Sequence, residues 1–397
     1  MKGSKIPLGD PKSWRLVYDA PRKENGKRNQ IWVTFHGTSK QADAERARLI
    51  HEAESGQYVD PSKMTVDELL QKYLDANEGR WARKTHLGYS EKIKNYISPQ
   101  LGNTQIEKLT ASRIDKFLSE IQKTGRKKPL ILPDPTTGED QEWTGVSSQT
   151  ANHCRAILRS AINWGIRKEV IKLNTNPVSR TDSIKVKHEE MKTLTAEESV
   201  RLVDACNGSI WEMPIVLSLY TGMRQGECLA LRWSDVDFKA GTIKVRHSLQ
   251  YIQGKLSLKV PKNDYSERTF EATPELLELL KKHKEVQKLR KLEYGDVYQN
   301  LNLVCAMEDG YYMRTSMLCK GLREIIDQAK VTRIRFHDLR HTHISLSLAN
   351  GESLVRVSRR VGHADPTITL KRYSHCIPGD MGAPVQLADA LKRAREQ

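Results

Sequence analysis

The stretch RFHDLRHTH at residues 335–343 places three histidines and two arginines around one aspartate. It opens a run predicted to be helical at 337–349, where His337 and Arg340 share a face because they are three residues apart. A guanidinium beside an imidazole can bind a phosphate through several hydrogen bonds. The stretch therefore predicts an anion site, although His337 could instead cap or pack, and Arg340 could pair with Asp338 or another acid.

A metal site is the other chemistry that three histidines suggest. His337, His341 and His343 follow i, i+4, i+6 spacing, which does not place all three on one helical face. No HExxH pattern or Cys/His pair accompanies them, and the six cysteines are widely spaced. We therefore expect no metal and no disulfide framework, and we assign His341 and His343 to packing or hydrogen bonding.

The charge of the chain points to a large anionic partner. Its 397 residues contain 65 Lys plus Arg against 49 Asp plus Glu, a net charge of +16. The excess is spread along the chain, and this favours nucleic acid touched by several domains over a basic protein without a polyanion. The length allows two or three domains with their own cores.

Nothing in the sequence predicts a membrane segment. The longest apolar stretch, at 213–223, is too short to span a bilayer, and residues 1–30 contain no signal-peptide core. With the widely spaced cysteines, these features predict a reducing, intracellular compartment.

The first predicted domain is residues 1–60. Two β-rich runs, 14–19 and 30–36, flank an Asn25-Gly26 turn signal, and a helical run follows. We expect a small sheet of two or three strands with one helix, and a core that includes Trp14, Trp32 and Phe35.

The second predicted domain is helical and covers residues 61–178. It opens with a capping box from Thr65 to Glu68, and further helical runs are predicted at 84–97, 110–123 and 147–168. The segment 126–146, rich in Pro and Gly, is expected to form a loop or small hairpin. The polar stretch 174–190 has no periodicity, and it places a linker at 179–190.

The third predicted domain, residues 191–397, mixes helices with a short β region. Its first helix has a capping box from Thr195 to Glu198. Strands are predicted at 241–247, 256–261 and 267–272, and helices at 274–292, 316–329 and 337–349. The fold class is thus multidomain and mainly α with short β-sheets.

Four stretches of the third domain occur in an order and at intervals typical of one family: TGMRQGECLALRW (221–233), VPKNDYSERT (260–269), FHDLRHTH (336–343) and VGHADPTITLKRYSH (361–375). The domain resembles the tyrosine recombinases, the phage-integrase family. All six positions of the family's active-site set are filled, by Arg224, Lys262, His337, Arg340, His363 and Tyr373. Glu227 matches the family's acidic supporting residue. The departures from the pattern, Val361 before Gly-His and Asn263 after the lysine, touch no catalytic atom.

The resemblance implies an integrase of a phage or integrative element, which cleaves and rejoins DNA at specific sites. Tyr373 would attack phosphorus to form a 3′-phosphotyrosyl link while Arg224 and Arg340 neutralise the phosphate oxygens. His337 and His363 would donate hydrogen bonds, His337 is also a plausible proton acceptor, and Lys262 would be the general acid. A site with two arginines and a lysine needs no Mg²⁺, and the covalent link stores the bond energy, so no ATP is needed. No cofactor is expected.

The resemblance extends to domain roles and partners. It implies a three-stranded arm-site domain, a helical core-binding domain and a mixed α/β catalytic domain acting on double-stranded DNA. It further implies four protomers on two DNA sites that exchange strands through a Holliday junction. A host DNA-bending protein and an excision factor are candidate accessory partners, and the expected location is the bacterial cytoplasm, on DNA.

Two other functions compete with this interpretation. A type IB topoisomerase uses similar chemistry without a defined site, but the arm-like first domain argues against it. A non-enzymatic DNA-binding regulator would lack a complete nucleophilic site, and the intact set ending at Tyr373 argues against that. The tail at 384–395 predicts a short helix that docks on a neighbouring protomer or on its own domain.

Overall fold

The computed structural model describes residues 3–9, 12–20, 29–54, 63–126, 128–133, 140–186, 191–259 and 267–377. The chain divides into two compact units, residues 1–188 and 189–397. Helices predominate and the sheets are short, as the sequence predicted. Within the described ranges, no helix is long and apolar enough to cross a bilayer.

The first unit begins with an antiparallel sheet and one helix. Its elements are β1 (Gly3–Pro7), β2 (Ser13–Ala20), β3 (Asn29–His36) and α1 (Ser39–Glu54), with β2 in the centre. Trp14 pairs with Phe35 and is partly buried, whereas Trp32 is 52% exposed. The core position expected for Trp32 is wrong, because residues 32 and 35 of one strand point to opposite faces of the sheet. The Asn25-Gly26 turn lies outside the described residues.

Helices form the rest of the first unit: α2 (Val66–Ala76), α3 (Arg83–Lys92), α4 (Ser98–Leu101), α5 (Ala111–Thr124) and α6 (Ser148–Arg167). A turn of π-helix, Ile93–Ile97, joins α3 to α4. The predicted capping box begins α2, with the Thr65 hydroxyl accepting from the Glu68 backbone N–H and the Glu68 carboxylate accepting from the Thr65 N–H. The apolar stripe of α6 is buried in the core of these helices.

Two connecting segments of the first unit are more ordered than a loop. Strands β4 (Leu130–Pro133) and β5 (Asp140–Trp143) form an antiparallel hairpin in the 126–146 segment. The stretch 174–190 was expected to be a linker, but its first half packs on the helices. Val178 is fully buried, Arg155 donates to Thr181, and Asn152 exchanges hydrogen bonds with the Ile184 backbone. Side-chain-to-backbone bonds fix this segment, and hydrophobic periodicity does not detect them.

The second unit contains eight helices among its described residues: α7 (Ala196–Cys206), α8 (Glu212–Thr221), α9 (Gln225–Ala230), α10 (Pro274–Tyr294), α11 (Thr315–Ala329), α12 (Phe336–Ala349), α13 (Leu354–Val361) and α14 (Pro366–Tyr373). The Thr195–Glu198 capping box begins α7 as predicted. Helix α8 is buried along most of its length, and its burial anchors the chain that leads into α9.

Five short strands complete the second unit: β6 (Val236–Asp237), β7 (Thr242–Val245), β8 (Ser248–Ile252), β9 (Lys255–Lys259) and β10 (Arg268–Glu271). Their pairing is β10-β7-β6 in one sheet and β8-β9 in the other. Lys262 therefore follows a strand of one sheet and precedes a strand of the other. Residues 260–266, which contain Lys262, and the tail at 384–395 lie outside the described residues.

Candidate active site

Arg340 is the most deeply buried charge among the predicted site residues. It lies on α12, is 2% exposed, and its Nη1 donates to the carbonyls of Gly222 (2.6 Å) and Val361 (2.7 Å). These carbonyls lie at the C-terminal ends of α8 and α13, where unpaired carbonyls carry partial negative charge. Burial lowers the pKa of Arg340 to about 9, so the group remains a cation at neutral pH.

One nitrogen of Arg340 has no hydrogen-bond partner among the described residues. Nη2 is buried and makes no hydrogen bond within the described part of the chain. Asp338, which the alternative interpretation paired with Arg340, is instead bonded to Arg335 at 2.9 Å. A buried donor without a partner is costly, and a guanidinium matches the geometry of a phosphate. The free donor therefore points to an anionic ligand.

Gly222 allows the ends of α8 and α13 to come close enough for Arg340 to bind both carbonyls. Its φ of 68° lies in the left-handed region, and a Cβ there would come within 2.7 Å of Val361 and 2.8 Å of His343. Any other residue would be strained and would displace these side chains. The glycine of the TGMR motif thus brings the end of α8 against α12 and α13.

Arg224 is the N-cap of α9 and is bound to Glu227 at two points. Its Nη1 lies 3.0 Å from Glu227 Oε1, and its backbone N–H donates to Oε2 at 2.9 Å. Its Nη2 donates to the carbonyl of Gly362 at 3.1 Å. The Arg224 side chain is 40% exposed, so it combines a fixed position with access from solvent.

A third arginine, Arg268, was not predicted as part of the site. It grips the same carboxylate, with Nη2 2.7 Å from Glu227 Oε2 and Nη1 3.2 Å from Oε1. Burial disfavours ionised Glu227, but the hydrogen bonds from Arg268 and the charges of both guanidinium groups outweigh it and hold its pKa below the usual range. The only sequence signal for Arg268 was its place at the start of the strand after Lys262.

His363 follows Gly362 and faces the same cations. Its Nδ1 lies 2.7 Å from the hydroxyl of the fully buried Thr369. Burial, and then the charges of Arg340 and Arg224, lower its pKa to about 4. His337 is more exposed, and burial followed by the Arg340 charge lowers its pKa as well. Both imidazoles are therefore neutral at pH 7.

Tyr373, the last residue of α14, is 1% exposed. It belongs to a small cluster with Ile344, Leu348, Val357 and Val361, separate from the main core. Burial raises its pKa to about 12, although the charges of Arg340 and Arg372 act in the opposite direction. At pH 7 only about one molecule in 100,000 would carry the phenolate, against about one in 1,000 for an exposed tyrosine.

The partner of the tyrosine hydroxyl is His341, which the sequence assigned to packing or hydrogen bonding. The Tyr373 hydroxyl is hydrogen-bonded to His341 Nδ1. Burial lowers the pKa of His341 to about 4, so the ring is neutral, and its tautomer with the proton on Nε2 can accept this bond from the tyrosine hydroxyl. His337, expected as a proton acceptor, packs edge-on against the His341 ring at 4.9 Å.

The three histidines of the opening stretch do not converge on one point. His341 contacts Tyr373, whereas His343 Nδ1 lies 2.9 Å from the Leu219 carbonyl and its Nε2 accepts from Arg360 at 3.1 Å. No group of three potential metal ligands occurs in the ranges described above. Each of the three histidines therefore has its own contacts: His337 packs on His341, His341 binds Tyr373, and His343 binds Leu219 and Arg360.

The structure thus brings most of the predicted residues together. The end of α13 connects Arg224, Arg340 and His363, and α12 connects Arg340 to Tyr373 through the neighbouring His341. Lys262 is the exception, because it lies outside the described residues. Arg268 and His341 are the two site neighbours whose contacts the sequence did not predict.

Comparison with known proteins identifies the family. A model described as "Phage integrase family" matches residues 192–378, and one described as "Phage integrase, N-terminal SAM-like domain" matches 65–122. A "Tyrosine recombinase XerC-like" protein of Caldanaerobacter subterraneus is 27% identical over 92% of this chain and 93% of its own. The ICEBs1 integrase of Bacillus subtilis is 24% identical over 75% of each chain.

Solved structures share the fold. The Tn1549 transposon integrase in complex with transposon right end DNA matches with a TM-score of 0.63 at 18% identity, over 83% of this chain and 99% of that one. A lambda integrase dimer bound to a COC′ core site matches with a TM-score of 0.55 at 18% identity, over 93% and 94%. With the family matches, these findings place the chain among the tyrosine recombinases of the phage-integrase family, enzymes of site-specific DNA recombination that use a tyrosine nucleophile.

Proposed function

We propose that this integrase cleaves DNA with Tyr373 as the nucleophile and Arg224, Lys262, His337, Arg340 and His363 as the other catalytic residues. The observation that carries the proposal is the unpartnered Nη2 of Arg340, a buried cationic donor beside the C-terminal end of α13. A scissile phosphate would accept from this donor and from the half-exposed Arg224. Two fixed guanidinium groups would then stabilise the charge that develops on the non-bridging oxygens.

The proposed reaction conserves the number of phosphodiester bonds. The Tyr373 oxygen bonds to phosphorus, the bond from phosphorus to the 5′-oxygen breaks, and Lys262 gives a proton to that oxygen. The tyrosine proton passes to a base in the site. His341 contacts the hydroxyl in the DNA-free protein, and His337 lies beside it. A 5′-hydroxyl of the other DNA then attacks the phosphotyrosyl link and releases the tyrosine.

The proposed role of His363 follows from its bond to Thr369. If the Thr369 hydroxyl donates to Nδ1, the neutral ring carries its proton on Nε2. That tautomer leaves Nε2–H free to donate to a phosphate oxygen. Burial, and then the charges of Arg340 and Arg224, keep His363 neutral by lowering its pKa to about 4. His363 would therefore donate a hydrogen bond without adding charge, and the two arginines would supply the positive charge that the phosphate needs.

The three predicted domains receive separate DNA-binding roles in this proposal. The first domain, residues 1–60, would bind the arm attachment sites, and the second, residues 61–178, would bind the core site. A linker at 179–190 would connect them to the catalytic domain, residues 191–397, which would cleave and rejoin the DNA. Deleting residues 1–60 should abolish binding to arm sites and leave cleavage of a short core-site duplex intact. Loss of core-site cleavage by a folded fragment would contradict this assignment of the first domain.

The assembly is proposed from the relatives. Lambda integrase has been solved as a tetramer bound to a Holliday junction, in a structure whose fold this chain shares at a TM-score of 0.54. We propose that four copies of this chain act on two DNA sites in the same way, in the bacterial cytoplasm. A host DNA-bending protein and an excision factor would set the direction of recombination.

A suicide-substrate library tests the proposed function. Duplexes of varied sequence carry a nick close to each candidate scissile phosphate, so that the short 5′-hydroxyl fragment diffuses away and the covalent complex is trapped. The DNA attached to the protein is sequenced, with Tyr373→Phe as the control. We expect strong enrichment of one core sequence. Attachment spread evenly over the library would contradict a site-specific recombinase and favour a topoisomerase.

A further inference from the structure

The C-terminal end of α13 holds three arginines on three successive carbonyls. The Arg360 carbonyl accepts from Arg268 Nε at 2.6 Å, the Val361 carbonyl from Arg340 at 2.7 Å, and the Gly362 carbonyl from Arg224 at 3.1 Å. The last carbonyls of a helix have no partner within the helix and carry partial negative charge. The end of this helix therefore acts as a common support for three guanidinium groups.

Gly362 fits this support for two reasons. Its φ of 70° lies in the left-handed region, and a Cβ would approach the Arg268 guanidinium to 3.1 Å. The glycine before His363 thus ends α13 and leaves room for Arg268 behind the site.

Arg268 differs from the other two arginines in its lack of a free face. Its side chain is 7% exposed, against 40% for Arg224. Its Nε, Nη1 and Nη2 are all used, the first on the α13 carbonyl and the other two on Glu227. Since the side chain is enclosed and engaged, it cannot offer a bidentate grip to DNA. Its influence must pass through the groups that it holds.

The groups held by Arg268 are those that aim Arg224. Glu227 binds the Arg224 side chain and backbone, and Arg268 fixes both oxygens of that carboxylate. Arg268 also connects β10 to the end of α13. Without Arg268, the buried Glu227 carboxylate would keep only Arg224 as a cationic partner, and the Arg360 carbonyl at the end of α13 would lose its hydrogen bond from Arg268.

The charge balance gives Arg268 a second effect on the site. Arg224, Arg268 and Arg340 carry three positive charges and Glu227 carries one negative charge, so this group of residues has an excess of two positive charges for an incoming phosphodiester. Burial is the largest cause that lowers the pKa of Arg340, and the positive charges of Arg224 and then Arg268 act in the same direction. A buried cation is screened less by water and salt than a surface one, so its field reaches the phosphate site.

We propose that Arg268 is a positioning residue for catalysis: it fixes Glu227 and the end of α13 so that Arg224 and Arg340 face the scissile phosphate. The inference rests on the proposed catalytic role of those two arginines. Arg268 also begins the strand that follows Lys262, so the same residue anchors the chain on the far side of the proposed general acid.

Single-turnover cleavage at saturating DNA tests this inference. Arg268→Ala should lower the cleavage rate roughly 10- to 100-fold, the range seen when groups that orient a ligand are removed, with little change in DNA affinity. Arg268→Lys keeps the charge but cannot make the three-point contact, so it should also remain below the wild-type rate. Glu267→Gln is the matched control, because it alters an exposed ion pair with Lys244 at the adjacent position.

A neutral methylphosphonate at the scissile position separates positioning from simple instability. That substrate carries no charge for the arginines to neutralise, so the deficit of Arg268→Ala should largely disappear. A variant that is merely unstable would remain slow on both substrates, and that result would overturn the inference. Thermal unfolding of Arg268→Ala, with Arg268→Lys measured beside it, shows whether each variant is folded at the temperature of the cleavage reaction.

The inference and the proposed function can fail separately. If Arg224→Ala abolishes cleavage while Arg268→Ala cleaves at the wild-type rate, Arg268 has no positioning role and the proposed site stands. If Arg224→Ala cleaves normally, the proposed catalytic set itself is wrong.

Discussion

The two sides of the candidate site are built differently. On the arginine side, the ends of two helices hold Arg340, and a shared carboxylate holds Arg224 and Arg268. On the tyrosine side, Tyr373 packs in a cluster with four other buried residues and is hydrogen-bonded to His341. In the proposed function the arginine side already offers a free donor to a phosphate, whereas the Tyr373 side chain is 1% exposed and would have to become accessible before its hydroxyl could attack.

This difference has a chemical consequence. Preorganised donors stabilise a transition state best because they need no rearrangement during the reaction. Burial raises the pKa of Tyr373 to about 12, so nearly all of it is the protonated phenol, which is a weaker nucleophile than the phenolate. The protein can thus hold its charge-stabilising groups in place without exposing a reactive phenolate in the absence of DNA.

The largest expected effect comes from removing the buried cation of the arginine side. Arg340→Ala should slow strand cleavage by roughly 1,000-fold or more, as loss of a phosphate-stabilising arginine does in phosphoryl transfer. DNA affinity should change little, because binding depends on phosphate contacts spread over the protein. Single-turnover cleavage measures the rate, and gel-shift titration measures the DNA affinity. Wild-type cleavage by the folded variant would show that Nη2 of Arg340 does not bind the phosphate.

Lys262 should show the next largest effect. Lys262→Ala should slow cleavage by roughly 100- to 10,000-fold, the usual contribution of a general acid, while sparing DNA affinity. In a substrate with sulfur in the 5′-bridging position, the leaving group is a thiolate that needs no protonation. This substrate should therefore restore the cleavage rate of Lys262→Ala. A variant equally slow on both substrates would rule out proton donation by Lys262.

His341 tests the tyrosine side. His341→Ala removes the hydrogen-bond partner of the Tyr373 hydroxyl, and a neutral hydrogen bond contributes about 1 kcal/mol, which corresponds to roughly fivefold in a population. Tyr373 should therefore react several-fold faster with tetranitromethane in the DNA-free protein. His341→Asn keeps an acceptor close to the position of Nδ1 and is the matched control. Equal labelling of all three proteins would contradict a holding role for His341.

The last prediction concerns stability rather than cleavage, and it comes from pH through His343 on the arginine side. Burial, and then the Arg360 charge, lower its folded pKa to about 4 from an ordinary value of 6.5. Between these values the unfolded chain binds a proton that the folded protein does not. Stability should therefore be complete above pH 6.5 and fall as pH drops toward 4, by at most about 1.4 kcal/mol per pH unit for this histidine.

The groups that face His343 are Arg360, Glu352 and Arg340. Urea unfolding at several pH values, compared between wild type and His343→Gln, isolates its share of the slope, and the exposed His375→Gln serves as control. An unchanged slope in His343→Gln would contradict a neutral His343 in the folded protein.

The sequence predicted the motif positions because each motif is local. TGMR and the GH motif lie at the C-terminal ends of helices, whereas HDLR and the capping boxes at Thr65 and Thr195 lie at helix starts. Such features depend on a few neighbouring residues, so they can be predicted without a three-dimensional structure.

The contacts of Arg268 and His341 could not be predicted in this way. Arg268 lies 41 residues from Glu227 in the sequence, and His341 lies 32 from Tyr373. Which arginine reaches a given carboxylate depends on how β10, α9 and α13 pack, and no periodic pattern encodes that. Trp32 illustrates a different error, because composition indicated burial while the alternation of the strand placed its ring on the exposed face.

The central claim is that Tyr373 is the nucleophile that forms the covalent link to DNA. The most direct test is to trap the complex on nicked core-site DNA, digest the protein, and identify the DNA-linked residue by mass spectrometry. We predict that the link is on Tyr373 and that Tyr373→Phe binds DNA normally without forming an adduct. A link on another residue, such as Tyr311 or Tyr312, or an adduct that persists in Tyr373→Phe, would contradict the account.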